Sequence, residues 1–505
     1  MSALRRLAVR GENKVADLFS ILQRGGAFSR RDFLRTAGTA AAAALALRWA
    51  VADGDGAAPR PNVLFIVSDD LNNALGCYGH SLVRTPNIDR LARRAVRFDR
   101  AYCQYPLCGP SRTSFLTGLR PGATGVGDQR NNFRSRKPDA VTLPQFFKKQ
   151  GYFVARVGRI FHLGVPEDVI VGGAGPDDAI SWDAAVNVTG PEHRTPGDSG
   201  NPTPQFDVEK NCSTAFHWIA CQGEGEDQAD YKIASEAIRL MEQKRDNPFF
   251  LGVGFVRPHV PLVAPKKYFD LYLLEKMELA QNPADDRADI PAATQKGRGK
   301  QADLGMGPQA CREAIRGYYA SISFMDAQVG RVLDALDRLG LADRTVVVFF
   351  GDNGYHLGEH QFWQKQTLFE ESARVPLLVA APGARAKGQA SPGLVELVDL
   401  YPTLAELCGL PAPAGTDGQS FRRWLDEPGR PGKKAAFTEI WLDKVTGRSV
   451  RTERWRYTTW QSKEGPAEEE LYDHEADPRE YVNLARDARH ASTVQELKEL
   501  LKGVK

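Results

Sequence analysis

The sequence predicts an α/β fold: a large, mostly parallel sheet sandwiched by helices, with a small C-terminal α+β subdomain. Three observations carry this. Continuous apolar runs rich in β-branched and aromatic residues alternate with stretches of helical periodicity, the pattern of a parallel sheet covered on both faces. Four of these runs end in clusters of polar side chains, and open α/β sheets bind ligands at the carboxyl ends of their strands. At 505 residues the chain is long enough for one large domain and an appendage. An apolar content of 42% with 31 prolines describes a globular protein with many loops. The net charge of +3 is the balance of 66 basic and 63 acidic residues, without a basic tail or block. No nucleic-acid or bulk membrane partner is expected from such a distribution, and acidic substrates must be recognised locally.

In chain order, Ser29-Arg30-Arg31-Asp32-Phe33-Leu34-Arg35 precedes a small and apolar run over 37–47, and Ala50-Val51-Ala52 offers a small-x-small cleavage site. That order predicts a twin-arginine export signal over residues 1–52. The apolar run is shorter than the roughly 20 residues that span a bilayer, so no stable membrane span is expected in the mature protein. The expected location is the periplasm or the exterior of a bacterium, reached through the twin-arginine translocase. Disulfides persist in such compartments. Cys212 and Cys221 share a Gly- and Pro-rich loop and could pair or remain free thiols. Cys77, Cys311 and Cys408 sit beside apolar residues and read as buried core thiols.

The first strand, 63–67, ends in Ser68-Asp69-Asp70. Next comes Cys108-Gly109-Pro110-Ser111-Arg112, running to Leu116-Thr117-Gly118, a short helix with proline in its first turn and a glycine to close it. Cys108 then lies at a helix N-terminus, which favours an anion, and Arg112 can swing back onto it. The spacing C-x-x-x-R differs from the C-x5-R loop of cysteine phosphatases, which disfavours a simple thiolate phosphatase. A strand at 153–157 leads into Gly158-Arg159 and His162, and one at 249–255 into Arg257-Pro258-His259. A fourth, 346–350, ends in Gly351-Asp352-Asn353. Helical patterns cover 231–243 and 311–339. The polar segments 163–226 and 280–309 exceed ordinary connections and are expected to form loops over the site. A linker at 426–432 closes the catalytic domain, 53–430. Residues 431–505, with strand-like stretches at 437–441 and 454–460 and a helical tail, form the small subdomain.

Asp69, Asp70, Asp352 and the amide of Asn353 supply four hard oxygen donors, a set suited to Ca²⁺ or Mg²⁺ rather than zinc. Three carboxylates at one sheet edge repel one another unless a cation joins them. The plainer reading of Asp69-Asp70 is a turn cap. Arg112, Arg159 and Lys365 can neutralise the non-bridging oxygens of a sulfate or phosphate ester. His162 and His259 can move protons. His356 and His360, flanking Gly358-Glu359, are given no catalytic role, although His360 lies where it could touch substrate.

Cys-x-Pro-Ser-Arg resembles the signature of the type I sulfatases, and the clusters in this order resemble the sulfatase branch of the alkaline-phosphatase-like superfamily, in the pattern of the iduronate-2-sulfatase-like enzymes. The likeness runs over 61–484. It is carried by Pro61-Asn62-Val63-Leu64-Phe65-Ile66 with Asp69-Asp70-Leu71, by Thr85-Pro86-Asn87-Ile88-Asp89, and by the cysteine motif. Gly158-Arg159-Ile160-Phe161-His162, Arg257-Pro258-His259, Gly351-Asp352-Asn353-Gly354 through His360 to Lys365, and Val398-Asp399-Leu400-Tyr401-Pro402 continue it. The resemblance implies that Cys108 is oxidised to formylglycine by a cytoplasmic sulfatase-maturating enzyme. It further implies one Ca²⁺ ion held by Asp69, Asp70, Asp352, Asn353 and the modified Cys108. Arg112 and His162 would orient and activate the aldehyde hydrate, Arg159 and Lys365 would hold the sulfate, and His259 would protonate the leaving alcohol. The implied substrate is a sulfated carbohydrate, a uronate or other sugar of a glycosaminoglycan or algal polysaccharide. Two positions depart from the pattern: Arg159 stands where these enzymes usually carry lysine, and Asn353 where the iduronate-2-sulfatases proper carry histidine. Two other readings share the motifs: a phosphodiester or phosphonate ester hydrolase on the same scaffold, and a non-catalytic sulfated-glycan binder if Cys108 stays unmodified.

Overall fold

The computed structural model describes residues 60–295, 302–442 and 444–504, and the export signal expected over 1–52 lies outside them. Eight strands form the central sheet: β1 (Asn62–Asp69), β2 (Val96–Tyr102), β3 (Phe153–Gly158), β4 (Ala184–Val186), β7 (Phe249–Pro258), β9 (Thr345–Gly351), β12 (Arg374–Ala380) and β13 (Ala390–Glu396). Their order is β13-β2-β12-β9-β1-β7-β3-β4. β1 lies between β9 and β7 and is parallel to both, and β3 continues the parallel set beside β7. Only β12 runs against its neighbours. The sheet is therefore mostly parallel, and the four strands with polar ends are adjacent in it.

Every residue of β1 is buried, and side-chain alternation divides them between two cores. Leu64 and Ile66 face the core that also holds Leu251, Val253, Val347 and Phe349. Helices α1 (Pro86–Ala92), α4 (Ala229–Lys244) and α5 (Pro308–Arg338) cover that side. Val63, Phe65 and Val67 face the other, with Phe250, Val346, Val348 and Phe350. There α2 (Cys108–Thr117), α3 (Leu143–Lys149) and α6 (Leu400–Leu407) complete the layer. Phe115 fixes α2 to the sheet: its ring lies 6.0 Å from Phe65 and 5.0 Å, edge-on, from Phe350. Such aromatic pairs contribute about 0.5–1.5 kcal/mol each beyond the area they bury. Gly118 ends α2 at φ 69°, a left-handed conformation that glycine adopts without a Cβ penalty.

Smaller sheets surround this frame. β5 (Gly197–Gly200), β6 (Trp218–Cys221) and β8 (Leu262–Pro265) form one, and β10 (His356–Leu357) with β11 (Trp363–Gln364) a short ribbon. The C-terminal sheet is an antiparallel meander of β14 (Ala436–Leu442), β15 (Val445–Arg451), β16 (Trp455–Ser462) and β17 (Glu468–Asp473). Helix α7 (Ala491–Lys502) packs Val494, Leu497 and Leu501 against Val450, Tyr457 and Leu471 of this sheet. The expected α/β architecture and its small C-terminal appendage are both present.

One open question is resolved and two local expectations need correction. Cys212 and Cys221 are free thiols, and the Cys212 Sγ instead lies 3.4 Å from Glu167 Oε1. Cys77 is half-buried, whereas Cys311 and Cys408 are buried as expected. The described part of 280–309 packs on the His360 loop and the C-terminal sheet, not over the site. Asn282 Nδ2 donates to the Gly358 carbonyl (2.7 Å), and the Ala293 amide donates to Glu468 (2.9 Å). Its polar side chains serve that packing, a long-range pairing that local composition does not reveal.

Candidate active site

Four strand ends and one helix start meet at the carboxyl edge of the sheet. β1 delivers Asp69 and Asp70, β9 leads into Asp352 and Asn353, β3 into Arg159 and His162, and β7 into His259. Cys108 is the first residue of α2, and Lys365 follows the β10–β11 ribbon. All ten expected residues are buried.

The carboxylates are close-set. One ligand atom each from Asp69, Asp70, Asp352 and Cys108 lies within 4.8 Å of the others. Asp352 Oδ1 accepts from the backbone amides of Asp70 (3.0 Å) and Asn353 (2.9 Å). Asn353 Nδ2 donates to Asp70 Oδ1 at 2.9 Å. Two buried oxygens, Asp69 Oδ1 and Asn353 Oδ1, have no hydrogen-bond partner. A buried acceptor left unpaired is costly, and Asn353 Oδ1, unpaired beside three carboxylates, is what a hard cation would satisfy. The residues therefore fit Ca²⁺, with the Cys108 Sγ marking where a modified side chain would add an oxygen. A second group, Glu370, His474 and Glu480, is as compact. There Arg456 already donates to both carboxylates, so a guanidinium supplies the positive charge.

The cations divide by direction. Arg112 does not swing onto Cys108. Its Nε donates to Asp352 Oδ2 at 2.8 Å, and its Nη2 lies 3.4 Å from Asp69 Oδ1. The remaining nitrogen donates to the carbonyls of Arg159 and Ile160. The carboxylates outcompete a neutral thiol for the guanidinium. Arg159 also turns inward: Nη1 donates to Asp69 Oδ2 and Nη2 to His162 Nδ1, the latter at 2.7 Å. Burial draws the Arg159 guanidinium down to about 10. Lys365 Nζ donates to Asp70 Oδ1 and lies 2.8 Å from Cys108 Sγ. Burial disfavours its charge, but Asp70 and Cys108 outweigh burial and hold the ammonium above its usual range.

Arg159 donates to His162 Nδ1, so the proton of this neutral ring sits on Nε2. His259 has the opposite tautomer: Nδ1 faces the Val260 carbonyl at 2.6 Å, and Nε2 faces the site, 3.7 Å from Asp70 Oδ2. Burial first and then neighbouring cations hold both imidazoles well below the ordinary range, Arg159 acting on His162 and Lys365 on His259. The Cys108 thiol is pushed well up by burial and Asp70, against the pull of Lys365 and Arg112.

A cleft open to solvent reaches this cluster. Lys365 and His259 line it, with Asp128, Arg130, Glu167 and Gln364 around them. Segment 163–226 does border the cleft, through Gly164, Val165, Glu167, Ser213 and Thr214. His360 does not. It is buried, stacks on Phe369 at 4.1 Å, and pairs with Asp286 at 3.2 Å. Burial opposes its charge, but Asp286 and Glu371 raise it to about 9. Three supporting contacts went unread in the sequence. Tyr318 donates to the Asp70 carbonyl (2.6 Å), Ser111 to the Asp352 carbonyl (2.5 Å), and Ser68 to the Arg257 carbonyl (2.8 Å). Ser68 and Ser111 stand inside the motifs and carried a signal; Tyr318, on α5, carried none.

Comparison with known proteins agrees with this geometry. The sulfatase family profile matches residues 61–410, and a profile for the C-terminal part of N-sulphoglucosamine sulphohydrolase matches 358–505. A sulfatase of Formosa agariphila is 34% identical over 88% of this chain and 86% of its own length. Iduronate 2-sulfatase of Mus musculus is 32% identical over 88% of this chain and 95% of its own. The crystal structure of the phosphonate monoester hydrolase of Agrobacterium radiobacter superposes with a TM-score of 0.72 at 23% identity, covering 88% of this chain and 95% of that one. At that identity the likeness concerns the fold alone.

Proposed function

This chain belongs to the sulfatase family and is a sulfuric ester hydrolase, and we propose that its substrate is a sulfated carbohydrate cleaved by a formylglycine formed from Cys108 beside one Ca²⁺ ion. The observation that carries the reading is the cluster of Asp69, Asp70, Asp352 and Cys108 within 4.8 Å, at the inner end of a cleft lined by Lys365 and His259. A carbohydrate substrate is supported by relatives such as iduronate 2-sulfatase of Mus musculus, 32% identical over 88% of this chain. Asp69, Asp70, Asp352 and Asn353 would hold the ion, which when bound supplies Lewis-acid charge to the reacting oxygens. A formylglycine at position 108 supplies, as its hydrate, one hydroxyl to attack sulfur and a second whose deprotonation expels sulfate afterwards.

The protein's own residues do the rest. Lys365, the cation on the cleft wall, binds the ester's non-bridging oxygens and draws the sulfur over position 108. Arg112 and Arg159 act behind the carboxylates. They balance the charge of Asp69 and Asp352, and Arg159 fixes the His162 ring with its proton on Nε2. His259 presents Nε2 to the leaving oxygen. A bound sulfate ester would bring negative charge beside His259, which favours the imidazolium that burial and Lys365 disfavour. The expected export signal adds an order of events. A twin-arginine translocase carries folded protein, so conversion of Cys108 would precede export to the periplasm.

Matched aryl sulfate and aryl phosphate esters test the reaction class. The matured protein should cleave the sulfate with the higher kcat/KM. Preference for the phosphate or a phosphonate ester would overturn the reading, and binding of sulfated glycan without turnover would do so too.

A further inference from the structure

We propose that Arg257, with Glu192 as its charge partner, is the positioning residue for His259, an inference that rests on the proposed role of His259 as the acid for the leaving alcohol. In that step His259 acts as the imidazolium: the electron pair of the breaking S–O bond stays on the alcohol oxygen, the Nε2 proton moves to it, and the ring is left neutral with its proton on Nδ1, donated to the Val260 carbonyl. The step needs Nε2 held at one place in the cleft, yet His259 lies in a turn beyond the end of β7, where the sheet ladder no longer fixes it.

Arg257 supplies the missing constraint. Its guanidinium is almost fully buried and touches no site carboxylate. Nη1 donates to the His259 carbonyl (3.3 Å) and Nε to the Val263 carbonyl (3.2 Å), so one planar group brackets the turn from 259 to 263. Nη2 donates to Glu192 Oε2 at 2.8 Å, and Glu192 is completely buried. Its other oxygen, Oε1, has no hydrogen-bond partner, so the carboxylate spends its charge on Arg257. The backbone is pinned as well. Asp230, in the first turn of α4, accepts from the amides of Val256 (2.8 Å) and Arg257 (3.1 Å). Ser68, next to Asp69, donates to the Arg257 carbonyl (2.8 Å). Within the turn, the Val260 carbonyl fixes His259 Nδ1. Glu192 belongs to 163–226, the segment that supplies one wall of the cleft. One buried ion pair thus ties the segment 163–226 to the turn that carries His259. A lysine at 257 has one ammonium in place of a fork and cannot serve two carbonyls and a carboxylate with the same geometry.

The test separates positioning from general loss of structure. Glu192→Gln, Arg257→Lys and His259→Ala are made in the full, matured chain, with melting temperature recorded. Each is assayed on a sugar sulfate, whose alcohol leaves poorly without a proton, and on 4-nitrophenyl sulfate, whose phenol leaves well without one. The proposal expects kcat on the sugar sulfate to fall about tenfold or more in Glu192→Gln and Arg257→Lys, within the range of a general-acid contribution. It expects KM, and kcat on the aryl sulfate, to stay close to the parent. Equal losses on both substrates, or none on either, would overturn it. Should Glu192→Gln fail to fold, Arg257→Lys alone decides. If His259→Ala itself shows no dependence on the leaving group, the acid role of His259 falls and the proposal falls with it. If His259→Ala shows that dependence and the other two do not, the positioning claim fails alone.

Discussion

Asp70 meets more of the site than any other side chain. Its carboxylate takes Lys365 and Asn353 Nδ2, lies 3.5 Å from Cys108 Sγ and faces His259. Its backbone sits at φ 59°, a conformation that non-glycine residues hold only under constraint. Asp352 through the amide and Tyr318 through the carbonyl provide that constraint. Asp70→Asn keeps the shape and removes one charge, so calorimetric Ca²⁺ affinity should fall tenfold or more, the scale on which even outer-shell changes act at metal sites. Unchanged affinity would remove Asp70 from the ligand set. Chelation should abolish turnover and added Ca²⁺ restore it, and full activity in the chelated protein would exclude the ion from catalysis. At this scale much was legible in the sequence. Asp69-Asp70, Asp352-Asn353 and Cys108 stood at strand ends or a helix start, where local pattern fixes their place. The direction of Arg112 and Arg159 was not legible. Spacing brings both near Cys108, whereas their actual partners, Asp352 and Asp69, are chosen by charge across strands far apart in sequence.

Among the elements, α2 places Cys108 and α5 backs Asp70 through Tyr318. Phe115 on α2 fills the space between Phe65 and Phe350. Phe115→Ala should therefore cost about 3–5 kcal/mol in denaturant unfolding and lower activity with it; a loss under 1 kcal/mol would show that α2 is anchored elsewhere. Asp326 on α5 accepts the amides of Asn87 (3.2 Å) and Ile88 (2.7 Å), which begin α1. Burial outweighs these bonds and raises its carboxyl to about 6 from 3.8. A carboxyl raised on folding stabilises the fold most below the unfolded value and ceases to do so as pH rises through the folded one. The parent should thus lose about 2 kcal/mol relative to Asp326→Asn between pH 4 and pH 6, measured by urea unfolding. A constant difference across that window would contradict the assignment. The helical periods of α4 and α5 were readable because each long helix has one apolar face. The short turns at 359–361 and 286–288 were not, because the pairing of His360 with Asp286 joins two loops with no periodicity.

For the whole molecule, four adjacent parallel strands make one reactive edge, and a smaller sheet is fastened to the frame by charge. Glu396, at the end of β13, accepts both Arg120 Nη atoms at 2.8 Å, Lys433 Nζ at 2.7 Å and the Phe437 amide at 2.9 Å. Burial disfavours its charge, but Lys433 and Arg120 outweigh burial and lower it to about 2 from 4.5. That stabilisation is present above pH 4.5 and is lost as pH falls toward 2. Glu396→Gln should cost about 3–5 kcal/mol at neutral pH, as for a broken buried pair, and reduce the acid sensitivity of unfolding; equal stability of variant and parent would show that the fastening lies elsewhere. The strand order was partly legible, since apolar runs ending in polar residues mark the inner strands, while the attachment through Glu396 depends on tertiary packing. The central claim concerns the residue that performs the chemistry. Mass spectrometry of the peptide spanning Cys108, from protein that hydrolyses a sulfate ester, tests it most directly. The account predicts a peptide lighter than the cysteine form by the mass change to formylglycine, and an unmodified thiol in fully active protein would contradict it.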